Sequence, residues 1–288
     1  MKRLKELLFK QLTLVAALLA VSALIAIVFS IFHEGLPLFK VVSLKDFLFN
    51  TAWYPTHENA EFGIWTLIVG SVSVTIGALL IGIPLGLGSA IFIAFLAKQR
   101  IREICKPAIE LLAGIPSVVY GLFGMAFLGP LMQRSLGLDT GLNLFTTSII
   151  LGIMVVPIIS SMSEDALSNV PKQLSEAAYA LGATKWETII RVVLPAAKSG
   201  IVGAILMGFG RAIGETMVVL MVAGGSAQIP KSIFDSVRPM TATISAEMGE
   251  TVMGDLHYQS LFAIAIVLFI ITFCVSLISE LISRKNEA

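Results

Sequence analysis

Charged residues are scarce in this 288-residue chain and make up only 14% of it. Soluble domains carry about 25% charged residues, and disordered chains contain few apolar ones. Because 56% of the residues are hydrophobic, both classes are excluded. The net charge is +1, so no basic excess indicates a nucleic-acid partner. The two cysteines, Cys105 and Cys274, lie far apart, which argues against a disulfide framework and a cysteine-based metal site.

Sequence motifs for chemistry are also missing. The chain has no Gly-x-x-x-x-Gly-Lys-Ser/Thr loop, which is the pattern that binds nucleotide phosphates. No apolar stretch contains a nucleophile paired with a base, or a cluster of metal ligands. The sequence therefore predicts that this chain is not an enzyme, and it gives no indication of a cofactor or a metal.

What the chain has in abundance is long apolar stretches. A bilayer core of about 30 Å needs roughly 20 apolar residues per helix. Six stretches are candidates: Leu12–Phe32, Ile64–Ala97, Ala108–Met132, Leu144–Met162, Ile201–Ala223 and Leu261–Ile282. The second is too long for one straight helix, and its proline within Gly82–Gly88 predicts a break. The first lacks the small-residue cleavage site of a signal peptide, so we interpret it as a retained anchor. The sequence predicts an all-α polytopic membrane protein with six transmembrane helices.

Lysine and arginine are distributed unequally among the segments between these stretches. Both terminal tails, residues 98–107 and residues 163–200 together hold 14, whereas the three alternate segments hold five. Since positive residues concentrate in cytoplasmic segments, both termini are predicted to be cytoplasmic. His33, His57 and His257 then fall outside, where we expect solvated loop residues rather than metal ligands. The chain divides into an N-terminal anchor with an external loop (1–63), a core (64–282) and a cytoplasmic tail (283–288).

Residues 163–200 form a long cytoplasmic segment that is not apolar enough to span a membrane. Its pattern predicts two short helices. The first begins near Leu174 and ends at Gly182, because glycine favours the position after a helix. The second is capped by Thr184 and ends at Pro195. The first helix also presents a surface with little side-chain bulk, formed by Ala177, Ala178 and Gly182. The segment is either an amphipathic surface on the membrane or a docking element for a cytoplasmic partner.

The spacing of these residues resembles the EAA loop of ABC-importer permeases. The matching positions are Glu176-Ala177-Ala178, Gly182 and, after nine intervening residues, Val192-Val193-Leu194-Pro195, although the family usually has isoleucine in place of Val192. In that family the loop contains coupling helices that sit in a cleft of a separate ATPase subunit. The resemblance implies a MetI-like permease fold with cytoplasmic coupling helices. It also implies that the residues coupled to the ATPase are Glu176, Ala177, Ala178, Gly182, Leu194 and Pro195.

Two charged residues lie within the fifth apolar stretch. Arg211 and Glu215 are four apart, so a continuous helix would place them on one face, where they could partly neutralise each other. Gly210 and Gly214 form a small-x-x-x-small step that allows close helix packing. Charged side chains at membrane depth cost about 2.5–3.5 kcal/mol on insertion scales and are usually functional. Two compatible interpretations stay open: a buried ion pair that fixes packing, and two residues on a translocation path.

The third stretch contains residues that interrupt a helix. Pro116 removes a backbone donor, and Gly114 loosens the helix just before it. Ser117 and Tyr120 can satisfy the freed carbonyl group or face a cavity. The sequence leaves open whether this stretch is a kinked packing helix or the lining of a pore.

The stretches Glu110–Gly121 and Gly208–Met217, taken with the EAA loop, resemble the PstC-type permeases of high-affinity phosphate importers. The resemblance implies a multi-pass protein of the cytoplasmic (inner) membrane. It also implies three partners: a PstA-like second permease, a dimer of ATP-binding subunits and an external phosphate-binding protein. By resemblance, Arg211 and Glu215 correspond to charged residues implicated in phosphate passage. Our candidate substrate path adds Thr216, Ser117 and Tyr120.

The chemistry of phosphate suits this pair of charges. Arginine offers an oxyanion two parallel donors, and a carboxylate can accept the proton that phosphate carries near pH 7 and sulfate lacks. We therefore expect Arg211 to attract the anion and Glu215 to discriminate against sulfate. The alternatives are a permease for another oxyanion (molybdate, sulfate or phosphonate) and an ion-coupled secondary transporter, although the chain shows no convincing internal repeat. The outside segment Gly224–Tyr258 is either a solvated loop or part of the surface that receives the binding protein.

Overall fold

Long helices formed by the apolar stretches dominate the computed structural model. The structure describes residues 2–285, including the side chains of residue 6 and residues 9–281. The helices, in chain order, are α1 (Lys2–Gly35), α2 (Leu44–Phe49), α3 (Trp65–Ile91), α4 (Gln99–Ala113), α5 (Ser117–Phe123), α6 (Gly129–Leu136), α7 (Leu144–Ser168), α8 (Lys172–Ala180), α9 (Lys185–Thr188), α10 (Leu194–Ala196), α11 (Lys198–Ile213), α12 (Met217–Val222), α13 (Met240–Glu247) and α14 (Leu256–Lys285). A short antiparallel hairpin lies between α2 and α3 and consists of β1 (Trp53–Tyr54) and β2 (Glu61–Phe62). The other elements of the described residues are 3-10 turns (Leu36–Lys40, Met248–Glu250) and π turns (Phe92–Leu96, Gly124–Leu128, Ile189–Val193).

Four single helices and two bent helix pairs have the length and composition to cross a membrane. Among the described residues, the single helices are Phe9–Lys40, Trp65–Leu96, Leu144–Ser168 and Leu256–Leu281. The bent pairs are Gln99–Ala113 with Ser117–Leu136, and Lys185–Ala196 with Lys198–Ile213. The predicted all-α polytopic fold is confirmed, and six spans result when each bent pair counts as one.

The second span is continuous, which contradicts the break expected at Gly82–Gly88. α3 passes through its internal proline and continues into a π turn. The glycines of this stretch allow close contact with α7 instead. A methyl group on Gly82 would meet the Val155 side chain at 2.5 Å, and one on Gly86 would meet Ile159 at 2.8 Å. The backbones of the two helices therefore lie closer together than larger side chains would permit.

α7 is the central helix of the bundle. It begins after Asn143, whose side-chain oxygen accepts the backbone N–H of Thr146 at 2.9 Å and so satisfies one free donor of the first turn. The apolar cluster around α7 includes Val74, Ala78, Ile150, Leu151, Val155, Ile159, Val218 and Val222. Because lipid tails are as apolar as these side chains, dense packing rather than dehydration holds such helices together in a membrane.

The third span consists of two helices at 88° rather than the single kinked helix predicted for Ala108–Met132. α4 already begins at Gln99, within the segment expected to be a cytoplasmic loop, and it ends at Ala113. The bend follows because Pro116 cannot donate a helical hydrogen bond and because the residue before a proline avoids the helical conformation. None of the residues of α4 is buried, so this helix lies on the surface of the bundle.

The fifth span is also divided, although the sequence predicts one helix over Ile201–Ala223. α11 begins after a 71° bend and ends at Ile213, and α12 begins at Met217. The three residues between them have no regular structure. Glu215 and Thr216 of the candidate substrate path therefore lie outside α11, the helix that carries Arg211.

Both ends of the described chain are helical. α1 begins at Lys2 and α14 ends at Lys285, so both helices extend beyond the predicted apolar stretches. Several residues in the charge count have side chains outside the described residues: Lys2, Arg3, Lys5, Arg284 and Lys285. Residues 286–288 of the predicted tail also lie outside the described part of the chain.

Packed segments close the end of the bundle that is predicted to face outside. An apolar cluster there joins α2, the hairpin, α3, α13 and α14 through Leu38, Phe47, Trp53, Phe62, Ile64, Met240, Leu261 and Ile264. α13 belongs to the segment Gly224–Tyr258, and its first four residues are buried, so the interpretation of this segment as a solvated loop is wrong. It is also wrong for His257, which is 7% exposed, whereas His33 and His57 are exposed.

Alanine substitutions along α3 separate the α3–α7 contact from helix propensity. Gly86→Ala places a methyl group 2.8 Å from Ile159 Cβ, and overpacking of this kind costs about 1–3 kcal/mol. Gly88→Ala is the matched control, because a methyl group there meets no atom within 4 Å. We expect Gly86→Ala to lower the melting temperature of the detergent-purified protein, and Gly88→Ala to leave it unchanged or raise it slightly. Equal melting temperatures for the two variants would contradict the close contact.

Candidate functional site

The break between α11 and α12 separates the two charged residues of the fifth span. Arg211 lies in the last turn of α11, whereas Glu215 lies in the break, after Gly214. The predicted shared helix face therefore does not form. The expected mutual neutralisation is also wrong, because no ion pair joins the two side chains within the described residues.

Glu215 caps the start of α12. Its Oε1 accepts the backbone N–H groups of Met217 at 3.1 Å and, more weakly, Val218 at 3.4 Å. Its backbone carbonyl accepts the hydroxyl of Thr241 at 2.7 Å, which ties the break to α13. The residue is 7% exposed. The first N–H groups of a helix have no partner within it, so a carboxylate at this position satisfies donors that would otherwise be unpaired inside the membrane.

Arg211 points into a cavity of about 600 Å³ between α7, α11 and α14. The polar residues that line this cavity with it are Thr272, Ser276, Ser279 and Glu280. Counted along α11 from Lys198, Arg211 lies about 20 Å from the start of the helix, which is membrane depth. Since a cation is costly there, the cavity must offer Arg211 water, an anion or a polar neighbour.

The glycines beside Arg211 do not pack against another helix of this chain. A methyl group on Gly210 would meet nothing within 4 Å, and one on Gly214 would meet only the Gly210 carbonyl at 3.3 Å. The predicted close packing at this step is therefore not made by the described residues. Met207 on the same helix is 57% exposed, so this part of α11 presents an open face.

Tyr120 satisfies the backbone at the bend between α4 and α5. Its hydroxyl donates to the Leu112 carbonyl at 3.1 Å, which is one of the two roles that the sequence leaves open for it. Ser117 begins α5 and is half-buried. α5 packs against α12, since a methyl group on Gly121 would meet Met221 at 2.8 Å.

The candidate path residues fall into two groups. Thr216 lies in the α11–α12 break beside Glu215, and its hydroxyl donates to the Gly214 carbonyl at 3.4 Å. Glu215 and Thr216 directly precede α12. Ser117 and Tyr120 lie on α5, which packs against α12. None of these four residues lines the Arg211 cavity. The structure thus places the cation in one cavity and the other candidates around α12.

The segment with the EAA pattern forms α8 and α9, as the sequence predicts. α8 begins at Lys172, slightly earlier than the predicted start at Leu174. Gly182 follows it with φ of +84°, a conformation that side chains with a Cβ rarely adopt. The Ala183 N–H then donates to the Ala178 carbonyl at 3.0 Å, so the free carbonyls at the end of α8 find partners.

Thr184 caps α9 through a reciprocal pair of hydrogen bonds. Its hydroxyl accepts the Glu187 N–H at 3.3 Å, and the Glu187 carboxylate accepts the Thr184 N–H at 2.9 Å. The backbone N–H of Thr184, its hydroxyl and the charge of Arg191 hold the pKa of Glu187 below its ordinary value. The helical structure that begins with α9 ends with α10 at Ala196, one residue beyond the predicted end at Pro195.

The surface of the coupling segment α8–α10 is rich in exposed apolar side chains. They are Leu174, Tyr179, Leu181, Trp186 and Ile190. Glu176, Ala177 and Gly182 are exposed, whereas Ala178 is buried, so two of the three predicted small residues form the open surface. They border a concave region of about 530 Å³. Apolar surface outside a bilayer marks a site of protein or membrane interaction, which fits both interpretations of this segment.

Leu194 connects the coupling segment to the membrane helices. It packs against a cluster that joins α3, α7 and α11, formed by Ala90, Leu167, Val193, Ala197 and Ile201. Pro195 is exposed. Since close-packed residues move together, a displacement of α8–α10 would pass through Leu194 to these helices.

A buried carboxylate that the sequence pattern did not reveal ties α4 to α7. The Glu164 side chain is 2% exposed, and its two oxygens lie 2.6 Å from Arg102 Nη2 and 2.6 Å from Lys106 Nζ. The predicted fourth span ends at Met162, which placed Glu164 in a loop. The signal that could have revealed the contact is the four-residue spacing of the two cations on an amphipathic helix.

A second missed cluster lies at the opposite end of the bundle. Glu247 of α13 accepts the indole N–H of Trp53 at 3.1 Å and a guanidinium N–H of Arg238 at 2.9 Å, and His257 Nε2 lies 2.8 Å from its Oε2. This carboxylate joins the hairpin to α13 and α14 beside a polar cavity of about 440 Å³. Trp53 and Glu247 are 194 residues apart, so no local pattern could reveal the contact.

Comparison with known proteins identifies the family. Residues 82–287 match the family described as "Binding-protein-dependent transport system inner membrane component". The chain belongs to this family. The matched range includes both the α8–α10 segment and the residues that line the Arg211 cavity.

Several relatives are similar over almost their whole length. The permease is 36% identical to the probable ABC transporter permease protein YqgH of Bacillus subtilis, over 99% of this chain and 93% of the relative. It is 35% identical to the phosphate transport system permease protein PstC of Mesorhizobium japonicum, over 99% of this chain and 92% of the relative. The PstC protein of Haemophilus influenzae is also 35% identical, over 98% and 94%. These relatives confirm the predicted resemblance to PstC-type permeases.

Solved structures show the same fold at low identity. A chain of a bacterial ABC transporter involved in alginate import superposes with a TM-score of 0.61 at 18% identity, covering 96% of the permease and 98% of that chain. A chain of the MetNI methionine ABC transporter in an inward-facing form gives a TM-score of 0.59 at 20% identity, covering 78% and 94%. The predicted MetI-like permease fold is confirmed.

Removing the Glu247 carboxylate tests the structural role of the cluster that it forms with Trp53, Arg238 and His257. Glu247→Ala leaves the half-buried Arg238 cation and the Trp53 N–H without their acceptor, and the loss of such a partner costs about 1–3 kcal/mol. Glu250→Ala is the matched control, because this carboxylate is exposed on the adjacent turn. We expect only Glu247→Ala to lower the melting temperature of the purified permease substantially. A melting temperature equal to that of Glu250→Ala would contradict a structural role for the cluster.

Two substitutions separate the capping role of Glu215 from its charge. Glu215→Gln keeps a side-chain oxygen that can accept the N–H groups of Met217 and Val218, whereas Glu215→Ala removes it. Loss of a helix cap costs about 0.5–2 kcal/mol, so we expect the alanine variant to melt at a lower temperature than the glutamine variant. Equal destabilisation would show that the charge, not the cap, stabilises the break.

Proposed function

We propose that the permease is the PstC-type subunit of an ABC importer that moves inorganic phosphate into the cytoplasm. The observation that carries the proposal is Arg211, a cation at membrane depth that faces a cavity of about 600 Å³. A guanidinium group binds oxyanions well, through two parallel charge-assisted hydrogen bonds. The relatives named as phosphate transport permeases, from M. japonicum and H. influenzae, favour phosphate over another oxyanion.

Both termini are placed in the cytoplasm in this proposal. Six spans bring them to the same side, and the uneven count of lysine and arginine favours the cytoplasmic side. The coupling segment α8–α10 then lies in the cytoplasm, where an ATPase can reach it. The buried cluster around Glu247 lies at the external end. The N-terminal unit 1–63 contributes the anchor and part of this external closure, and the core 64–282 contains the path.

Three partners complete the importer. The open face of α11 around Gly210 suits a PstA-like second permease, which would complete the path between the two chains. The exposed apolar surface of α8–α10 suits the clefts of a dimer of ATP-binding subunits. An external phosphate-binding protein would deliver the anion at the end closed by α13, in keeping with the binding-protein-dependent family.

Coupling depends on residues that link the ATPase surface to the spans. Glu176, Ala177 and Gly182 would contact the ATPase directly, since they are exposed. Ala178 and Leu194 would transmit the motion, since one is buried and the other packs against the cluster beneath α10. Pro195 would hold the direction of the chain into the 71° bend before α11. Closure of the ATPase dimer on ATP would then tilt α11 and expose the path to one side at a time.

The path residues would act in sequence on the anion. Arg211 attracts it into the membrane-depth cavity. Glu215, with Thr216, Ser117 and Tyr120 nearby, forms the second group around α12, where a carboxylate can accept a proton from phosphate but repels fully ionised sulfate. The cap that Glu215 makes to α12 fixes this carboxylate in place, so its discriminating role and its structural role are compatible.

Transport by the complete importer tests the proposal. The experiment uses vesicles that contain the permease, its second permease and the ATP-binding subunits, with the external binding protein added. ATP-dependent uptake of labelled phosphate is measured in excess sulfate. We expect uptake that sulfate does not reduce and that Arg211→Gln lowers about tenfold or more, because a hydrogen bond to a charged group is worth about 1.5–3 kcal/mol.

Arg134→Gln is the matched control, since Arg134 is an exposed cation at the end of α6, away from the cavity. It should transport phosphate at the rate of the unmodified importer. ATP hydrolysis stimulated by the binding protein without phosphate uptake would overturn the substrate, and molybdate, sulfate and phosphonate would then be tried. Normal phosphate uptake by Arg211→Gln would remove Arg211 from the path.

A further inference from the structure

Three hydroxyl groups line the Arg211 cavity from a single helix. Thr272, Ser276 and Ser279 lie on α14 at spacings of four and three residues, so they share one face of the helix. Arg211 faces them from α11 across the cavity. A strip of hydroxyl groups opposite a guanidinium group, at the depth of a lipid bilayer, is a polar surface that packing alone does not explain.

The hydroxyl residues of the described spans are of two kinds. Some donate to a carbonyl of the preceding turn, as Ser71 does to Leu67 at 2.9 Å and Ser89 does to Leu85 at 2.7 Å. Others, such as the buried Thr146, Ser160 and Ser163, have no partner in the chain, but they do not line the Arg211 cavity. Thr272 is of the first kind, with its hydroxyl 3.0 Å from the carbonyls of Leu268 and Phe269. No hydrogen bond among the described residues uses the hydroxyl of Ser276 or Ser279. Their donors are therefore free for a ligand in the cavity.

We propose that Ser276 and Ser279, assisted by Thr272 and opposite Arg211, form a transient binding step for inorganic phosphate inside the membrane. The proposal rests on the proposed function. It assigns α14 as a second helix, beside α11, that lines the path of the anion. A hydroxyl group can donate to a phosphate oxygen and accept from the phosphate O–H, whereas a guanidinium group can only donate. The strip therefore suits both ionisation states that phosphate has near pH 7.

The size and charge of the cavity favour passage over tight binding. At about 30 Å³ per water molecule, a volume of about 600 Å³ holds on the order of 20 water molecules, so the anion would keep part of its hydration. The hydroxyl groups are neutral and bind weakly. Glu280, one position beyond Ser279 on α14, also lines the cavity.

The same chemistry could also bind the phosphate group of an anionic lipid, because the cavity is open at the surface of this chain. Inorganic phosphate and a lipid headgroup predict different effects of bilayer composition on the role of the hydroxyl groups. Inorganic phosphate on the path requires the hydroxyl groups for transport in any bilayer. A lipid headgroup requires them only where anionic lipid is present.

The test compares Ser276→Ala/Ser279→Ala with Ser276→Thr/Ser279→Thr in the complete four-component importer. Vesicles are prepared from neutral phosphatidylcholine alone and from a mixture with phosphatidylglycerol. Initial rates of ATP-dependent phosphate uptake and ATP hydrolysis stimulated by the binding protein are measured. We expect the alanine pair to lower the maximal uptake rate about tenfold in both vesicle types, from the loss of two hydrogen bonds, with the stimulated ATP hydrolysis retained.

The threonine pair should restore most of the uptake, because it keeps both hydroxyl groups. Cys274→Ala is the matched control on α14, since Cys274 does not line the cavity, and it should have no effect. Normal uptake by the alanine pair, with uptake still lost in Arg211→Gln, would overturn this proposal and leave the proposed function standing. Normal uptake in both would overturn the place of the cavity on the path.

Two other outcomes would also overturn the proposal. A loss of uptake confined to vesicles with phosphatidylglycerol would assign the strip to a lipid headgroup. A loss that the threonine pair does not restore, with stimulated ATP hydrolysis lost as well, would assign the two serines a structural role.

Discussion

The contact between α3 and α7 is the constraint on which the rest of the permease depends. Glycines on both helices let the backbones meet, since a methyl group on Gly152 of α7 would lie 3.0 Å from the Ala78 carbonyl of α3. In a bilayer such packing replaces the dehydration that stabilises soluble cores. α7 then carries Glu164 near its C-terminal end and forms one wall of the Arg211 cavity. Both the anchoring of α4 and the shape of the cavity are therefore fixed relative to this helix pair.

Polar groups inside the bundle differ in whether the chain itself supplies their partners. At each broken span a side chain satisfies the backbone: Glu215 accepts the first N–H groups of α12, and Tyr120 donates to the Leu112 carbonyl. These groups have their partners in the chain itself. Arg211 and the serines of α14 have no such partners among the described residues, and they meet in one cavity. Unused donors at membrane depth indicate a ligand or water, because an apolar surrounding cannot satisfy them.

Local patterns of the sequence predicted local structure well. The long apolar runs became helices, Gly182 ended α8 and Thr184 capped α9, because each depends on residues within one or two turns. The relation of Arg211 to Glu215 was predicted wrongly, since four-residue spacing implies a shared face only if the helix continues. The clusters around Glu164 and Glu247 could not be predicted, because they join segments distant in the sequence. The strip on α14 was visible only once α11 had been placed opposite it.

α11 lies between two interruptions of the helical structure, so we expect it to move as one rigid segment. It is a helix of 16 residues between the 71° bend at its N-terminal end and the break at Gly214. Leu194 packs beside this bend, so in the proposed importer a force on α8–α10 would reach α11 there. Arg211 lies about 20 Å away, and a tilt of about 10° would move it by roughly 3–4 Å. Charge-assisted hydrogen bonds extend only about 2.7–2.9 Å, so such a tilt would be enough to release an anion held by the guanidinium group. In the proposed importer, the position of the cation at the far end of this helix would link ATPase closure to a change in affinity without a rearrangement of the cavity itself.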